Sequence, residues 1–248
     1  MTTVALIQAR MSSTRFPGKV LEPIAGVPAI LFMVRRVRRA ATIDIVAVAT
    51  SNDPSDDPLA EALSDAGIPL FRGDLDDVLR RYADAAAHFG ADEIVRLTGD
   101  CPLADPTIID EVVEARRAAG VDYASNIDPP TFPDGLDCEC FTRAALDGAA
   151  GQATTAADRE HVTMWMRSPG SGLRRINSPS SADTSGIRLT VDYPDDLAAV
   201  RRLVSLMPNA DAFDYADMLR ALSANPDILD LNRHERNEGS DARNARQD

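Results

Sequence analysis

The chain has 248 residues, of which 44% are hydrophobic, and a formal net charge of −13. That length suffices for one substantial core, and the acidic balance argues against non-specific binding to nucleic acid or anionic membranes. The N-terminus lacks a basic region followed by an apolar core, and no stretch reaches membrane-spanning length, so a soluble cytoplasmic protein is expected.

Residues 3–7 form an apolar, partly β-branched run that reads as a buried strand. It leads into Ala9-Arg10-Met11-Ser12-Ser13-Thr14-Arg15-Phe16-Pro17-Gly18-Lys19. Three cations (Arg10, Arg15 and Lys19) with the hydroxyls of Ser12, Ser13 and Thr14 suit a polyanion such as a nucleoside triphosphate, because charge-assisted bonds to phosphate are strong. A solvated basic loop is the plainer alternative. The loop is neither G-x-x-x-x-G-K-[ST] nor G-x-G-x-x-G, since Gly18 is its one glycine.

Further along, residues 27–40 read as an amphipathic helix, with Arg35, Arg36, Arg38 and Arg39 as a solvated face. A strand over 43–50 ends in the polar turn 51–54, and a helix over 58–66 precedes a strand over 68–71. Arg72 follows at that strand's end, where it reads equally as a ligand contact or a surface arginine. Asp76 and Asp77 open a helix to about residue 89, where acids suit the macrodipole. A strand over 93–98 runs into Gly99-Asp100-Cys101-Pro102, placing a lone carboxylate where it could hold a hard cation or cap a turn. A helix over 106–119 and a strand over 121–126 complete the alternation, which favours a three-layer, mostly parallel α/β sheet.

Residues 128–186 break this rhythm and read as an insertion against the sheet. Within it lie a short strand over 136–141, helices over 143–149 and 156–167, and a strand over 174–177. In the first strand Cys138 and Cys140 fall on one face; with Cys101 they read as buried reduced thiols rather than a zinc site. A core-type strand over 187–192 ends at Asp192, ahead of helices over 194–207 and 214–224. One domain spans 1–232, and the charged residues 233–248 read as a disordered tail. Two strand-end carboxylates beside a cationic loop are the minimum equipment for substitution at phosphorus, which needs alignment and charge neutralisation rather than an enzyme nucleophile.

Several ordered motifs carry a resemblance: Gln8-Ala9-Arg10 with Ser13-Thr14-Arg15 and Pro17-Gly18-Lys19; Phe71-Arg72-Gly73 with Asp76-Asp77-Val78; Arg96-Leu97-Thr98-Gly99-Asp100-Cys101-Pro102; Pro133-Asp134-Gly135-Leu136-Asp137; Arg159-Glu160-His161-Val162-Thr163; and Leu189-Thr190-Val191-Asp192-Tyr193-Pro194. Over nearly its whole length the chain resembles the spore coat polysaccharide (SpsF-like) cytidylyltransferases of the acylneuraminate/KDO cytidylyltransferase superfamily. The resemblance implies a glycosyltransferase-A-like nucleotidyltransferase fold with an inserted acceptor and dimerisation region, CTP as co-substrate, Mg²⁺ as cofactor, and a homodimer. Carried across, it implies that Arg10, Ser13, Arg15 and Lys19 hold phosphates, that Arg72 approaches the nucleoside, and that Asp100 and Asp192 bind metal. Asp137, Glu160 and His161 would then face a small acidic acceptor, with His161 either a general base or a structural partner of Glu160. Ser12 departs from the family's usual Gly, so any contact there needing a positive φ would be strained. Two rivals stand beside this reading: a sugar-1-phosphate nucleotidyltransferase using another NTP, and a non-catalytic nucleotide-binding subunit.

Overall fold

The computed structural model describes residues 1–234. The chain runs β1 (Thr3–Gln8), β2 (Pro23–Ile24), β3 (Val27–Pro28), α1 (Ala29–Val37), β4 (Ile45–Ser51), α2 (Asp57–Asp65), β5 (Leu70–Gly73), α3 (Val78–His88), β6 (Glu93–Thr98) and α4 (Pro106–Ala119). It continues with β7 (Tyr123–Ser125), β8 (Glu139–Thr142), α5 (Arg143–Gln152), α6 (Ala156–His161), α7 (Met164–Arg167), β9 (Arg175–Asn177), α8 (Pro194–Ser205) and α9 (Tyr215–Ala224). Seven strands form one sheet in the order β5-β4-β1-β6-β8-β7-β9. β8 runs antiparallel to both its neighbours, whereas β1 pairs parallel with β4 and β6, β4 with β5, and β7 with β9. The mostly parallel, three-layer α/β architecture is therefore as the alternation of elements implies.

Burial on both faces explains the near-continuous apolar strands. On one face Ala5, Ile7, Val46, Val48, Val95 and Leu97 pack against α1, α2 and α4. On the other, Val4, Leu6, Ala47, Ala49 and Ile94 meet α3 and α5, with Val162 and Met166 completing the layer. A third cluster joins Ile24, Phe32, Leu189 and Val191 to α8 and α9. Cys138 and Cys140 share the first face, and all three cysteines are buried and form no disulfide among the described residues.

Several local expectations change. The stretch read as a strand over 187–192 is buried and extended but forms no sheet ladder, only an isolated bridge from Arg188 to Asp134. Its main chain is satisfied by loops instead: Leu189 N–H donates to Asp134 O at 2.6 Å and Val191 N–H to Asp100 O at 2.7 Å. The region expected to lie against the sheet supplies two of its strands, β8 and β9. The helix read over 156–167 breaks between α6 and α7 at Val162, whose φ is +54° and ψ −57°, with Thr163 N–H donating to His161 O at 2.5 Å. This is a γ-turn of the rare, strained hand. Arg36 does not belong to a solvated face. It is fully buried, lies 3.9 Å over the Phe213 ring, and donates to the carbonyls of Leu103, Ala104 and Phe213. Burial lowers its pKa to about 10 despite Asp105 nearby.

The tail expected over 233–248 lies outside the described residues except for its first two. Just before it Asn232 is buried and donates to Arg188 O and Asp196, and His234 stacks on Tyr193 at 3.9 Å. Ordered packing thus extends past residue 232. No helix among the described residues is long and apolar enough to cross a membrane.

Candidate active site

The cationic loop follows β1 at the carboxyl edge of the sheet, the usual ligand-binding edge of open α/β folds. Its shape is set from within and from below. Met11 O accepts the N–H groups of both Ser13 (2.9 Å) and Gly18 (3.0 Å), and Gly18 makes the return turn at φ +75°. From below, the fully buried Asp56 accepts Met11 N–H at 2.6 Å through Oδ1, while Oδ2 accepts the hydroxyls of Thr50 and Ser51. Ser12 is exposed and has no positive φ. The serine in place of the family's usual glycine is therefore accommodated without backbone strain here.

Gly99 brings the end of β6 against the loop: a Cβ there would stand 2.9 Å from Ala9 Cβ and 3.1 Å from Gln8 O. The next residue, Asp100, consequently faces Lys19. The extended segment pinned to Asp100 O delivers Asp192 to the same point. Lys19 Nζ donates to Val191 O at 2.7 Å and to Asp192 Oδ1 at 2.8 Å, and lies 3.4 Å from Asp100 Oδ2. Arg15 pairs with Asp192 Oδ2 at 2.6 Å. Thr98 Oγ1 donates to Asp100 Oδ1 at 2.5 Å. Burial opposes ionisation of Asp192, but Lys19 and Arg15 outweigh it and hold the carboxyl down to about 2. Arg10 alone of the three loop cations forms no ion pair among the described residues.

One cleft is lined by Arg10, Ser13, Arg15, Lys19, Asp100 and Asp192 together with Glu160 and His161 at the end of α6. Residues from four distant parts of the chain thus meet. Two others stand apart from its lining. Arg72 lies within β5, pairs with Asp57 at 2.7 Å, and donates to the carbonyls of Ser51 (2.8 Å) and Asp53 (3.1 Å). Asp137, just before β8, is half-buried outside the cleft.

Sequence reasoning missed Asp56, Arg96 and Glu139. Arg96 lines the cleft and is ion-paired to the buried Glu139, which also accepts from Tyr123 OH and Thr163 Oγ1 at 2.6 Å each. Burial works against both charges, yet each supports the other: Glu139 stays below its ordinary pKa and Arg96 above its own. Arg96 was visible as part of a motif; nothing in the alternating run 136–141 distinguished Glu139.

The donor chemistry at Lys19 bears on the metal that the family implies. Two carboxylate oxygens and a carbonyl converge there on one cationic centre. This all-oxygen set suits a hard divalent ion such as Mg²⁺, which takes few protein ligands and keeps water and phosphate oxygens for the rest. Among the described residues no group of three or more His, Cys, Asp and Glu side chains could hold a metal ion.

A mostly parallel sheet with a cationic, carboxylate-flanked cleft at its carboxyl edge is the architecture of a nucleotidyltransferase-type fold. Comparison with known proteins gives the family. The model described as "Cytidylyltransferase" matches residues 4–224, and the chain belongs to that family. It is similar to the spore coat polysaccharide biosynthesis protein SpsF of Bacillus subtilis, at 31% identity over 90% of this chain and 94% of the relative. It is also similar to a 3-deoxy-manno-octulosonate cytidylyltransferase of Anaeromyxobacter sp., at 40% identity over 81% and 96% respectively. Among solved structures, a cytidylyltransferase from Leptospira borgpetersenii superposes with a TM-score of 0.89 at 32% identity, covering 95% of this chain and all of that one. The chain is a cytidylyltransferase.

Proposed function

We propose that the enzyme transfers CMP from CTP to an acidic sugar or related small acid, with Mg²⁺, releasing pyrophosphate for glycan or specialised metabolite assembly. The observation that carries this reading is the convergence of Lys19, Asp100 and Asp192 on one point in a cleft that Arg10 also lines. Arg10, Ser13, Arg15 and Lys19 bind the triphosphate, using charge-assisted bonds and the hydroxyl. Asp100 and Asp192 hold the divalent ion, which when bound neutralises charge on the phosphates. An acceptor oxygen forms its bond to the α-phosphorus as the bond to the pyrophosphate oxygen breaks, and Lys19 offsets the charge on that leaving group. Glu160 and His161, across the cleft, orient the acceptor, and His161 takes the proton of its hydroxyl. Arg72 acts one step back, fixing the turn after β4 on which the nucleoside end rests.

The acidic acceptor is supported by the 3-deoxy-manno-octulosonate relative, and a polysaccharide destination by the spore coat relative. A homodimer is supported by β9, a three-residue edge strand with Ile176 38% exposed; light scattering would test it. The three cysteines, free of disulfides among the described residues, suit a cytoplasmic setting.

The test is thermal unfolding with CTP, UTP, GTP and ATP, each with and without Mg²⁺, followed by pyrophosphate release with 3-deoxy-manno-octulosonate and other sugar acids. Ligand at a hundred times its Kd adds about 2.7 kcal/mol of stability. Stabilisation by CTP with Mg²⁺ above the other nucleotides is expected; no nucleotide response overturns the reading.

A further inference from the structure

We propose that Lys19 is an internal stand-in for the divalent cation: its ammonium fills the metal seat in the free enzyme and vacates it for the phosphates, so that metal and nucleotide enter together. This rests on the function proposed above. An ammonium group has three N–H donors, and three oxygens receive them here: Val191 O at 2.7 Å, Asp192 Oδ1 at 2.8 Å and Asp100 Oδ2 at 3.4 Å. The remaining oxygens of both carboxylates are already engaged, Asp100 Oδ1 by Thr98 and Asp192 Oδ2 by Arg15. The two oxygens left over point to one place, and Lys19 occupies it.

Lys19 is 8% exposed, so this is a seated side chain rather than one sampling solvent. Charge makes its occupancy exclusive. Asp100 and Asp192 are matched by Lys19 and Arg15, and a further arginine, Arg188, stands 3.6 Å from Asp192. A divalent ion arriving alone would meet carboxylates that are already neutralised and would have to displace an ammonium into a cleft lined by three further cations, Arg10, Arg15 and Arg96, against one further carboxylate, Glu160. CTP supplies an anion to receive it. The lysine's four-carbon stem lets Nζ swing toward phosphate while the backbone at Gly18 and Lys19 stays in its turn. Each ligand thereby prepares the site for the other, which is positive coupling between metal and nucleotide.

The experiment uses Mn²⁺ as the probe, with free ion counted by electron paramagnetic resonance in the absence of nucleotide. Wild-type enzyme is compared with Lys19→Met and with Lys19→Gln, a milder change whose amide still donates to the oxygens should the apolar variant fold poorly. Both substitutions are expected to tighten binding of one Mn²⁺ at least tenfold relative to wild type, and a further Asp192→Asn change to abolish the gain. Wild-type binding of Mn²⁺ alone as tight as that of the variants overturns the proposal. So does an absence of gain in the variants while CTP with Mn²⁺ stabilises the wild-type protein, and in that case the cytidylyltransferase reading survives. No stabilisation of wild type by CTP and Mn²⁺ together would sink both.

Discussion

The buried carboxylate of Asp56 accepts the main-chain N–H of Met11 at 2.6 Å, across 45 residues of sequence, and so fastens the cationic loop after β1 to the turn after β4. Its second oxygen is held by Thr50 and Ser51 hydroxyls, so the anchor is itself rigid. Asp56→Asn presents an amide N–H₂ where an acceptor is required, orphaning at least one buried donor at a cost of about 1–3 kcal/mol. Chemical denaturation is expected to register that loss. CTP affinity is expected to fall about tenfold, since the loop would have to be ordered on binding. Unchanged CTP affinity would show that the loop holds its shape without the anchor.

Asp192 gives a pH dependence of defined sign. Its folded pKa, about 2, lies below the ordinary 3.8 because Lys19 and Arg15 overcome the effect of burial. A depressed carboxylate contributes stability that is fully present above the unfolded pKa and is lost as pH falls through the folded one. The window is therefore about pH 4 down to about 2, and the contribution is about 2 kcal/mol. In Asp192→Asn this proton is missing, so unfolding free energy measured in denaturant should fall less steeply across that window than in wild type. Parallel slopes would mean that the ion pairs do not form in solution.

The elements that were legible in the sequence are those whose signal is local. β1, β4 and β6 are apolar runs closed by polar or glycine-containing turns, and α4 begins at Pro106 behind the Asp105 cap, whose carboxylate accepts from Thr107 and Ile108 N–H. The loop of Arg10, Arg15 and Lys19 was legible because cations clustered in an acidic chain. Other features depend on partners far along the chain. Residues 187–192 have a strand's composition, yet their neighbours are the loops at Asp100 and Asp134, so burial without a ladder could not be read from alternation. Among Asp53, Asp56 and Asp57 only tertiary packing selects Asp56 for the interior. The break at Val162 opposes local preference outright, since a β-branched residue disfavours positive φ; the bond from Thr163 to Glu139 beside it comes from the sheet.

Gly135 tests the route by which Asp192 reaches the site. Its φ is +105°, and a Cβ would lie 2.4 Å from Thr190 N and 2.6 Å from Leu189 C. Both atoms are backbone, so no side chain can move aside. Gly135→Ala is expected to cost about 3 kcal/mol or more from positive-φ strain and collision together. The segment it displaces carries Asp192, so the response to CTP with Mg²⁺ should weaken even well below the melting temperature. A protein with unaltered stability would place the two loops further apart than the present geometry.

Glu139 separates a charge effect from a hydrogen-bonding one at the cleft floor. Removing it as Glu139→Ala leaves the Arg96 guanidinium without its counterion, takes the acceptor from the Tyr123 hydroxyl, and leaves Thr163 Oγ1 only the long bond to His161 O at 3.5 Å. Breaking a buried pair from one side costs about 3–5 kcal/mol. Glu139→Gln removes the counterion too but keeps an oxygen that can accept from the hydroxyls, so it should cost less than Glu139→Ala, nearer about 3 kcal/mol than about 5. The turn from Glu160 to Thr163 is strained at Val162 and tied to Glu139, so both variants should relax it. The single tryptophan, Trp165, lies in α7 just beyond that turn and reports on it. Its fluorescence is expected to shift in Glu139→Ala, partly in Glu139→Gln, and not in Asp56→Asn, whose lesion falls on Met11, Thr50 and Ser51. A shift of equal size in all three would indicate general loosening of the fold rather than release of this turn.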